Sequence, residues 1–313
     1  MTRVHALTLV SIIAIASAAP AHAQTAPANT TPRLGGFIQL RETYQDPTGL
    51  SATVHRARLM VDGSLGSEFR FRVSSDFRSG GTATSRAGVS LTDAYIEWSR
   101  THWAVRAGQF KTPFTREYLL QPIAIETPDR AAPVESLAPK RDIGVMATYA
   151  RGPGTIALGV FNGEGVNTVA NVDSTVLVVG RATARLPQAV EAGFNMAMYG
   201  GDSTRYGIDA AVQRGRVSAR AEFIGQHRSG SSADDHGWYV LAAYRLNAWA
   251  QLVARQEDLR RPAAGTRNDA TTVGTIFDFS DNRVRLYLDY VSRRSGTPAV
   301  RHGTFLAQLQ VRF

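Results

Sequence analysis

Along most of the chain apolar and polar residues alternate with a period of two, in short runs rich in Val, Ile, Leu, Phe, Tyr and Thr separated by Gly, Pro, Asp, Asn and Ser. Successive side chains of a strand point to opposite faces, so this period predicts strands with one apolar and one polar face. Phe69, Phe71, Val73, Ser75 and Phe77 share one face, while Arg70, Arg72, Ser74, Asp76 and Arg78 share the other. The same division sets Val284, Leu286, Leu288 and Tyr290 against Arg283, Arg285, Tyr287 and Asp289. It also sets Val217, Ala219, Ala221 and Phe223 against Arg216, Ser218, Arg220 and Glu222. Sixteen such segments are predicted, at about 33–45, 52–64, 68–78, 88–98, 102–111, 142–150, 154–161, 175–186, 191–199, 204–213, 216–227, 237–246, 249–258, 269–279, 283–292 and 303–313.

Alternation alone fits a soluble sandwich, apolar side inward, or a membrane barrel with its apolar side toward lipid. The connections separate the two. Even-numbered gaps are tight, as at Leu65-Gly66-Ser67, Ser99-Arg100-Thr101, Arg151-Gly152-Pro153, Arg214-Gly215 and Asn247-Ala248. Odd-numbered gaps are mostly longer, as at 79–87, 112–141, 162–174, 228–236, 259–268 and 293–302, with the one near Gly200 to Ser203 short. Short turns on one rim and long loops on the other belong to an up-and-down barrel, whereas a sandwich has no reason to sort its connections. An even number of strands returns both ends of the chain to the short-turn side. The last segment adds Phe305, Ala307, Leu309, Val311 and a terminal Phe313 on one face, similar to the final strand by which outer-membrane proteins are recognised for assembly.

The first residues read as an export signal, residues 1–23. Arg3 gives a positive start, Leu7 to Ala16 a short apolar run, and Ala21-His22-Ala23 a small-residue cleavage site before Gln24. No later stretch approaches the roughly 18 apolar residues of a membrane-spanning helix. The expected mature protein is thus residues 24–313, a single barrel in the bacterial outer membrane, in contact with outer-membrane lipid. With no cysteine, neither a disulfide framework nor a thiolate site is available, and backbone pairing and burial must hold the fold.

The formal charge is +9, and Lys111 and Lys140 are the only lysines, so nearly all of the 35 basic residues are arginine. Planar guanidinium groups suit phosphate and carboxylate. Their spread along the whole chain, together with an export signal, argues against a nucleic-acid partner. His55, His102, His227, His236 and His302 show no metal-ligand spacing, and no Ser-His pair stands out, so no enzyme and no cofactor is expected. Asp234-Asp235-His236 reads as a solvated loop tip rather than a calcium site. Trp98, Trp103, Trp238 and Trp249 fall at segment ends with Tyr44, Tyr149 and Tyr199 nearby, as expected of aromatic girdles at membrane interfaces.

The longest connection, 112–141, carries Pro113, Pro122, Pro128, Pro133 and Pro139 with Glu117, Glu126, Asp129, Arg130 and Glu135. So long a structureless segment is either functional or a mobile external loop. Around it stand His55-Arg56-Ala57-Arg58-Leu59, Leu91-Thr92-Asp93-Ala94-Tyr95-Ile96-Glu97-Trp98, Arg106-Ala107-Gly108-Gln109-Phe110-Lys111-Thr112-Pro113-Phe114 and Lys140-Arg141-Asp142-Ile143-Gly144-Val145. In order and spacing these resemble the phosphate-selective porin O and P family across residues 33–160, and the later half is similar in architecture. The resemblance implies an all-β fold: a transmembrane antiparallel up-and-down β-barrel of about 16 strands, homotrimeric, with an inward-folded constriction loop after strand 5. It also implies that lumen arginines draw anions toward a lysine-containing constriction, with Lys111 at the mouth of the loop and Arg56, Arg58 and Arg106 on the matching strands. The chain departs from the family pattern in being short and almost free of lysine.

The polar faces place Arg56, Arg58, Arg70, Arg72, Arg106, Arg181, Arg185, Arg216, Arg220, Arg285 and Arg312 toward the lumen, with Lys111 beside them as the anion pathway. Rings of basic groups select anions, and a ladder of weak sites lets an ion enter and leave. Glu42, Asp62, Asp76, Glu97, Glu222 and Asp289 would neutralise part of that field, which is the pattern of a general porin. The function expected is passive diffusion of small anions, phosphate or polyphosphate favoured, with a non-selective porin as the alternative and a barrel enzyme or adhesin a remote one.

Overall fold

A computed structural model of the chain describes residues 32–78, 88–168, 170–171, 174–296 and 299–313. The proposed signal segment, 1–23, and the connection at 79–87 lie outside the described residues. The strands are β1 (Arg33–Gln45), β2 (Gly49–Leu65), β3 (Phe69–Arg78), β4 (Gly88–Arg100), β5 (Trp103–Lys111), β6 (Arg141–Arg151), β7 (Gly154–Phe161), β8 (Leu177–Leu186), β9 (Val190–Tyr199), β10 (Ser203–Arg214), β11 (Val217–Arg228), β12 (Asp235–Arg245), β13 (Ala250–Arg261), β14 (Thr266–Phe279), β15 (Val284–Ser295) and β16 (Val300–Arg312). Each pairs antiparallel with its sequence neighbours, and β1 pairs with β16 to close the barrel. Closure leaves no unpaired edge, which a sheet in lipid requires.

The alternation read from the sequence sorts the two faces. Leu158, Phe194, Ile208, Val240, Leu252, Leu288 and Phe305 are exposed on the outer surface, while Arg181, Asn195, Asp209, Arg255 and Gln308 are buried inside. Toward the short-turn rim the outer face carries Trp103 against Tyr149, ring centroids 4.8 Å apart, and Trp249 stacked on Phe277 at 5.8 Å. Toward the other rim lie Tyr44, Trp238, Tyr290 and Phe305. Tyr199, expected in a girdle, instead turns inward and packs against the interior cluster, with Arg205 over its ring. Glu42, expected in the lumen, lies exposed on the outer face between Leu40 and Tyr44, because strict alternation along β1 sends the even positions outward.

Bulges break the alternation on the first strands. The pairing of β2 slips opposite Gln39 and Leu40, so Leu50 and Val54 face out before it and Leu59 after it. A second slip opposite Ser74 and Ser75 buries both Thr92 and Asp93. Gly108 takes φ 124, and a Cβ there would lie 2.2 Å from the Ala94 carbonyl oxygen, so only glycine fits. Gln109 and Phe110 next to it are both buried. Such irregularities re-aim side chains, here around one part of the interior wall.

Several connections expected to be long loops are extended sheet instead. β13 and β14 run on to Arg261 and Thr266, and β15 and β16 to Ser295 and Val300, so the barrel continues beyond the aromatic belt. The long segment at 112–140 is not structureless: it forms α1 (Arg116–Leu119) and α2 (Ala132–Leu137). Its Phe114, Tyr118, Val134 and Leu137 join inward-facing Leu177, Val179, Ile224, Tyr239, Leu241 and Leu259 in one buried cluster. This segment thus covers an apolar cluster on the inner wall from β8 to β13, set among buried polar groups such as Asn195, Asp209, Glu222 and Arg255.

Candidate functional site

The segment between β5 and β6 hydrogen-bonds to strands on opposite sides of the barrel. At its base, Thr112 donates from N to the Lys140 carbonyl at 3.3 Å and from Oγ1 to that of Pro139 at 3.0 Å. Toward β9 the Thr115 amide donates to Asn195 Oδ1, 3.2 Å. On β11, Glu222 accepts the amides of Arg116 (2.9 Å) and Glu117 (2.6 Å), and also the Tyr239 hydroxyl (2.7 Å). Eight strands away from β9, Arg41 of β1 donates to both oxygens of Asp129, each at 2.9 Å. Tyr287 of β15 donates to the Ile125 carbonyl, 3.1 Å, and Arg285 lies beside it on the Ile123 carbonyl, 3.4 Å.

Glu117 is central to this anchoring. Its side chain is fully buried, and its carboxylate accepts the Ala131 amide at 2.8 Å and Arg220 Nη2 at 3.2 Å, with Arg255 Nη1 at 4.0 Å. Arg220 also holds Glu126, and Arg255 donates to Thr127 Oγ1, 2.6 Å. Burial alone would push the Asp129 carboxyl up, but the Arg41 guanidinium outweighs it and holds it below the ordinary carboxylate range. Burial pushes the Tyr118 phenol up and the Arg130 guanidinium down, the latter against the opposing pull of Glu117.

Docked this way, the segment leaves open a cavity of about 380 Å³ against the other wall, β2 to β8. It is lined by Arg58, Arg72, Arg106, Lys111, Arg141 and Arg181, with Asp93 and Tyr95, and by Pro113, Leu119 and Gln121 of the segment. Each guanidinium is fixed by a carboxylate. Arg58 donates to Asp76 at 2.8 Å, Arg72 to Asp62 at 2.6 Å, Arg106 to Glu97 at 2.9 Å, Arg141 to Asp93 at 2.9 Å and Arg181 to Asp209 at 3.0 Å. Asp93 alone among those carboxylates lines the cavity. Six cationic groups against five carboxylates leave a small net positive charge, with the basic groups presented to the space and most acids in the wall behind.

Five of the residues singled out in the sequence therefore meet: Arg58, Arg72, Arg106, Lys111 and Arg181. Arg56 lies next to them, 3.5 Å from Asp76. Arg220 and Arg285 stand on the opposite wall and tie down the segment. Arg70 is exposed, Arg216 falls in the turn before β11 with its guanidinium on the Leu246 carbonyl, and Arg185 and Arg312 are exposed toward the short-turn rim. Lys111 has a different surrounding from the others. Its ammonium donates to the carbonyls of Tyr118 (2.6 Å), Leu119 (3.2 Å) and Leu120 (2.7 Å), which takes all three of its protons and caps the end of α1. Sequence reasoning missed Arg141, although it sits in a quoted motif and pairs in register with Lys111.

Among the described residues no group of three His, Asp or Glu side chains is placed to hold a metal ion. Asp235, in the suspected loop-tip cluster, is buried and ion-paired with Arg228 at 3.1 Å and Arg261 at 3.3 Å.

Among solved structures, a loop L8 deletion mutant of OmpT, an outer-membrane protein of Vibrio cholerae, superposes with a TM-score of 0.71 at 10% identity, covering 90% of this chain and 99% of that one. The outer-membrane channel DcaP of Acinetobacter baumannii gives 0.67 at 13% identity, over 90% and 97%. An anion-selective porin from Comamonas acidovorans gives 0.66 at 14% identity, over 91% and 100%. At such identities the likeness is one of fold. No curated protein sequence matches the chain. The model of the phosphate-selective porin O and P family matches residues 30–193, more than half of a chain that closes into a sixteen-stranded barrel, and this chain belongs to that family of outer-membrane porins.

Proposed function

We propose that the protein is a passive channel for small anions, oxyanions of the phosphate class foremost, and that the inward segment after β5 narrows its lumen. The supporting observation is the cavity between that segment and the arginines of β2 to β8. Low-dielectric walls focus the field of guanidinium groups into the space they line, raising the local concentration of anions. Carboxylate partners hold each guanidinium in place and weaken its grip, so an anion is passed on and not trapped. Arg56, Arg58, Arg72, Arg106, Arg141 and Arg181 carry the pathway in this reading, while Lys111 fixes the segment that bounds it. No energy source or cofactor enters. Export after cleavage near Ala23 and a homotrimer in the outer membrane complete the proposal.

A general, non-selective porin is the competing reading, and the near balance of charge around the cavity favours it. Planar-bilayer recording of the purified mature protein decides between them. Under a potassium chloride gradient an anion channel gives a reversal potential of the anion sign, and added phosphate reduces the chloride current. In Arg72→Glu/Arg106→Glu both effects should fall or reverse. A reversal potential near zero in the parent protein refutes anion selectivity, and chloride current indifferent to phosphate refutes the phosphate class.

A further inference from the structure

Above the aromatic belt of β13 to β16, the outer face changes character in ordered steps. Tyr290 and Phe305 are register partners with ring centroids 4.8 Å apart. Two residues further along the strands the outward positions are Gln256, Thr271 and Ser292, and two further they are Asp258, Asp269, Arg294 and Arg301. The next outward pair is Arg260 opposite Arg267. At about 3.4 Å per residue and a tilt near 40°, Arg294 stands about 10 Å beyond Tyr290 along β15, whereas on β13 Asp258 is the register partner of the belt residue Trp238 and Arg260 lies two residues, about 5 Å, beyond it. Apolar, aromatic, uncharged polar and then ionic is also the order of layers at the surface of a bilayer, where the ionic layer holds the headgroup phosphates.

Charge at that height is presented asymmetrically. The side chains of Arg260, Arg267 and Arg301 are 50%, 55% and 54% exposed, whereas Asp258 and Asp269 are only 6% and 17% exposed. Asp258 is bound by Arg260 and Arg267, and Asp269 by Arg301, so the carboxylates sit behind and orient guanidinium groups whose free edges face outward. Arg294 lies exposed in register between Asp269 and Arg301. On β9 to β12 the outward residues toward the same rim are Met198, Thr204, His227 and His236, so along β9 to β16 the outward arginines at this rim fall on β13 to β16. Directly below them the outer surface holds a groove of about 440 Å³ lined by Tyr44, Val273, Leu288, Tyr290, Phe305 and Ala307, together with Glu42.

We infer that this face binds a phosphorylated glycolipid of the outer leaflet, its phosphates on the arginine rows of β13 to β16 and an acyl chain along the groove beneath. The inference rests on the outer-membrane placement of the barrel and is independent of what passes through the lumen. Guanidinium forks on phosphate give bidentate, oriented contacts that a diffuse positive surface does not.

The test is native mass spectrometry of the purified mature barrel in detergent micelles, titrated with bis-phosphorylated lipid A and with the same glycolipid stripped of its phosphates. Arg294→Gln/Arg301→Gln should bind the phosphorylated form roughly thirtyfold more weakly than the parent. Arg294→Lys/Arg301→Lys should stay within a few fold, and the stripped glycolipid should bind the parent no better than the Gln variant binds the intact one. Millimolar inorganic phosphate should leave the parent's affinity unchanged, since a free ion gains nothing from the groove. Equal binding of both glycolipids, or an unweakened Gln variant, overturns the inference. So does unchanged glycolipid affinity with loss of a self-associated form, which would assign the face to a second copy of the chain. Unaltered single-channel conductance verifies that the variants fold, because these arginines lie outside the lumen.

Discussion

Glu117→Ala would remove the group on which the inward segment is hung. The carboxylate closes the segment on itself through the Ala131 amide and joins it to β11 through Arg220, in a fully buried position with Arg255 4.0 Å away. Removing one partner of a buried ion pair costs about 3–5 kcal/mol, because the remaining charge stays desolvated. Here Arg220 keeps Glu126 and Arg255 keeps Thr127, which moves the figure toward the low end, while the orphaned Ala131 amide adds to it. A net cost of about 3 kcal/mol shifts the balance between docked and undocked segment by roughly a hundredfold.

The shift should be local, since the strands retain their ladder. Amide hydrogen exchange is the direct assay: peptides covering 112–140 should exchange about a hundredfold faster in the variant, while those from β7 to β16 keep their protection. Single-channel traces should become noisier as the lumen alternates between occupied and open. Unchanged exchange over 112–140 would refute the assignment of Glu117 as the anchor, and uniformly faster exchange would show that the segment and barrel unfold as one unit.

Two further outcomes are expected. Because Arg41 holds the Asp129 carboxyl below its ordinary value of 3.8, the contribution of this pair is complete above that pH and is lost only as pH falls through the lower, folded value. Channel noise in a His55→Gln background, which removes the imidazole 3.7 Å away, should therefore match that of the added Asp129→Asn variant only in strong acid; convergence between pH 7 and 5 would contradict it. Glu42→Leu should raise the free energy of unfolding in urea by about 1 kcal/mol, since a charge facing lipid near the interface destabilises by up to that amount. A loss of stability instead would mean that another protein group pairs with this carboxylate.

Strand number, order and facing were legible because lipid outside and water inside impose a period of two on every strand, as in β3 and β15. What the alternation could not carry was its own interruption. The slips in β2 and β4 and the glycine conformation at Gly108 depend on the neighbouring strand, so a reading one strand at a time has no means to see them. Glu42 was misplaced for another reason: a charge on a half-polar strand was taken as lumenal, whereas its even position among Leu40 and Tyr44 sends it out. Inward apolar residues such as Val179 and Leu241 were unremarkable in sequence, and only the docked segment explains them. For the same reason Arg220 and Arg285 looked equivalent to Arg58 and Arg72, although the first two hold the segment, Arg220 also bordering a second cavity of about 430 Å³, and the second two line the cavity and, among the described residues, make no bond to the segment.

The division of labour between those arginines bears on how such a pore could be selective without being blocked. A guanidinium left alone in a narrow lumen binds an oxyanion strongly and releases it slowly; one clamped edge-on by a carboxylate retains donors for a passing anion but offers little net charge. The wall from β2 to β8 is of the second kind, with Arg58, Arg72, Arg106, Arg141 and Arg181 each clamped. Lys111, whose protons are all engaged by backbone carbonyls, would have to give up the end of α1 to grip an anion. Under the proposed function, selectivity would rest on the direction in which fixed guanidinium groups face and on the width the inward segment leaves, more than on an excess of charge. It follows that salt should weaken it less than a diffuse field would be weakened, since contacts shorter than the roughly 8 Å screening length at physiological ionic strength are little affected.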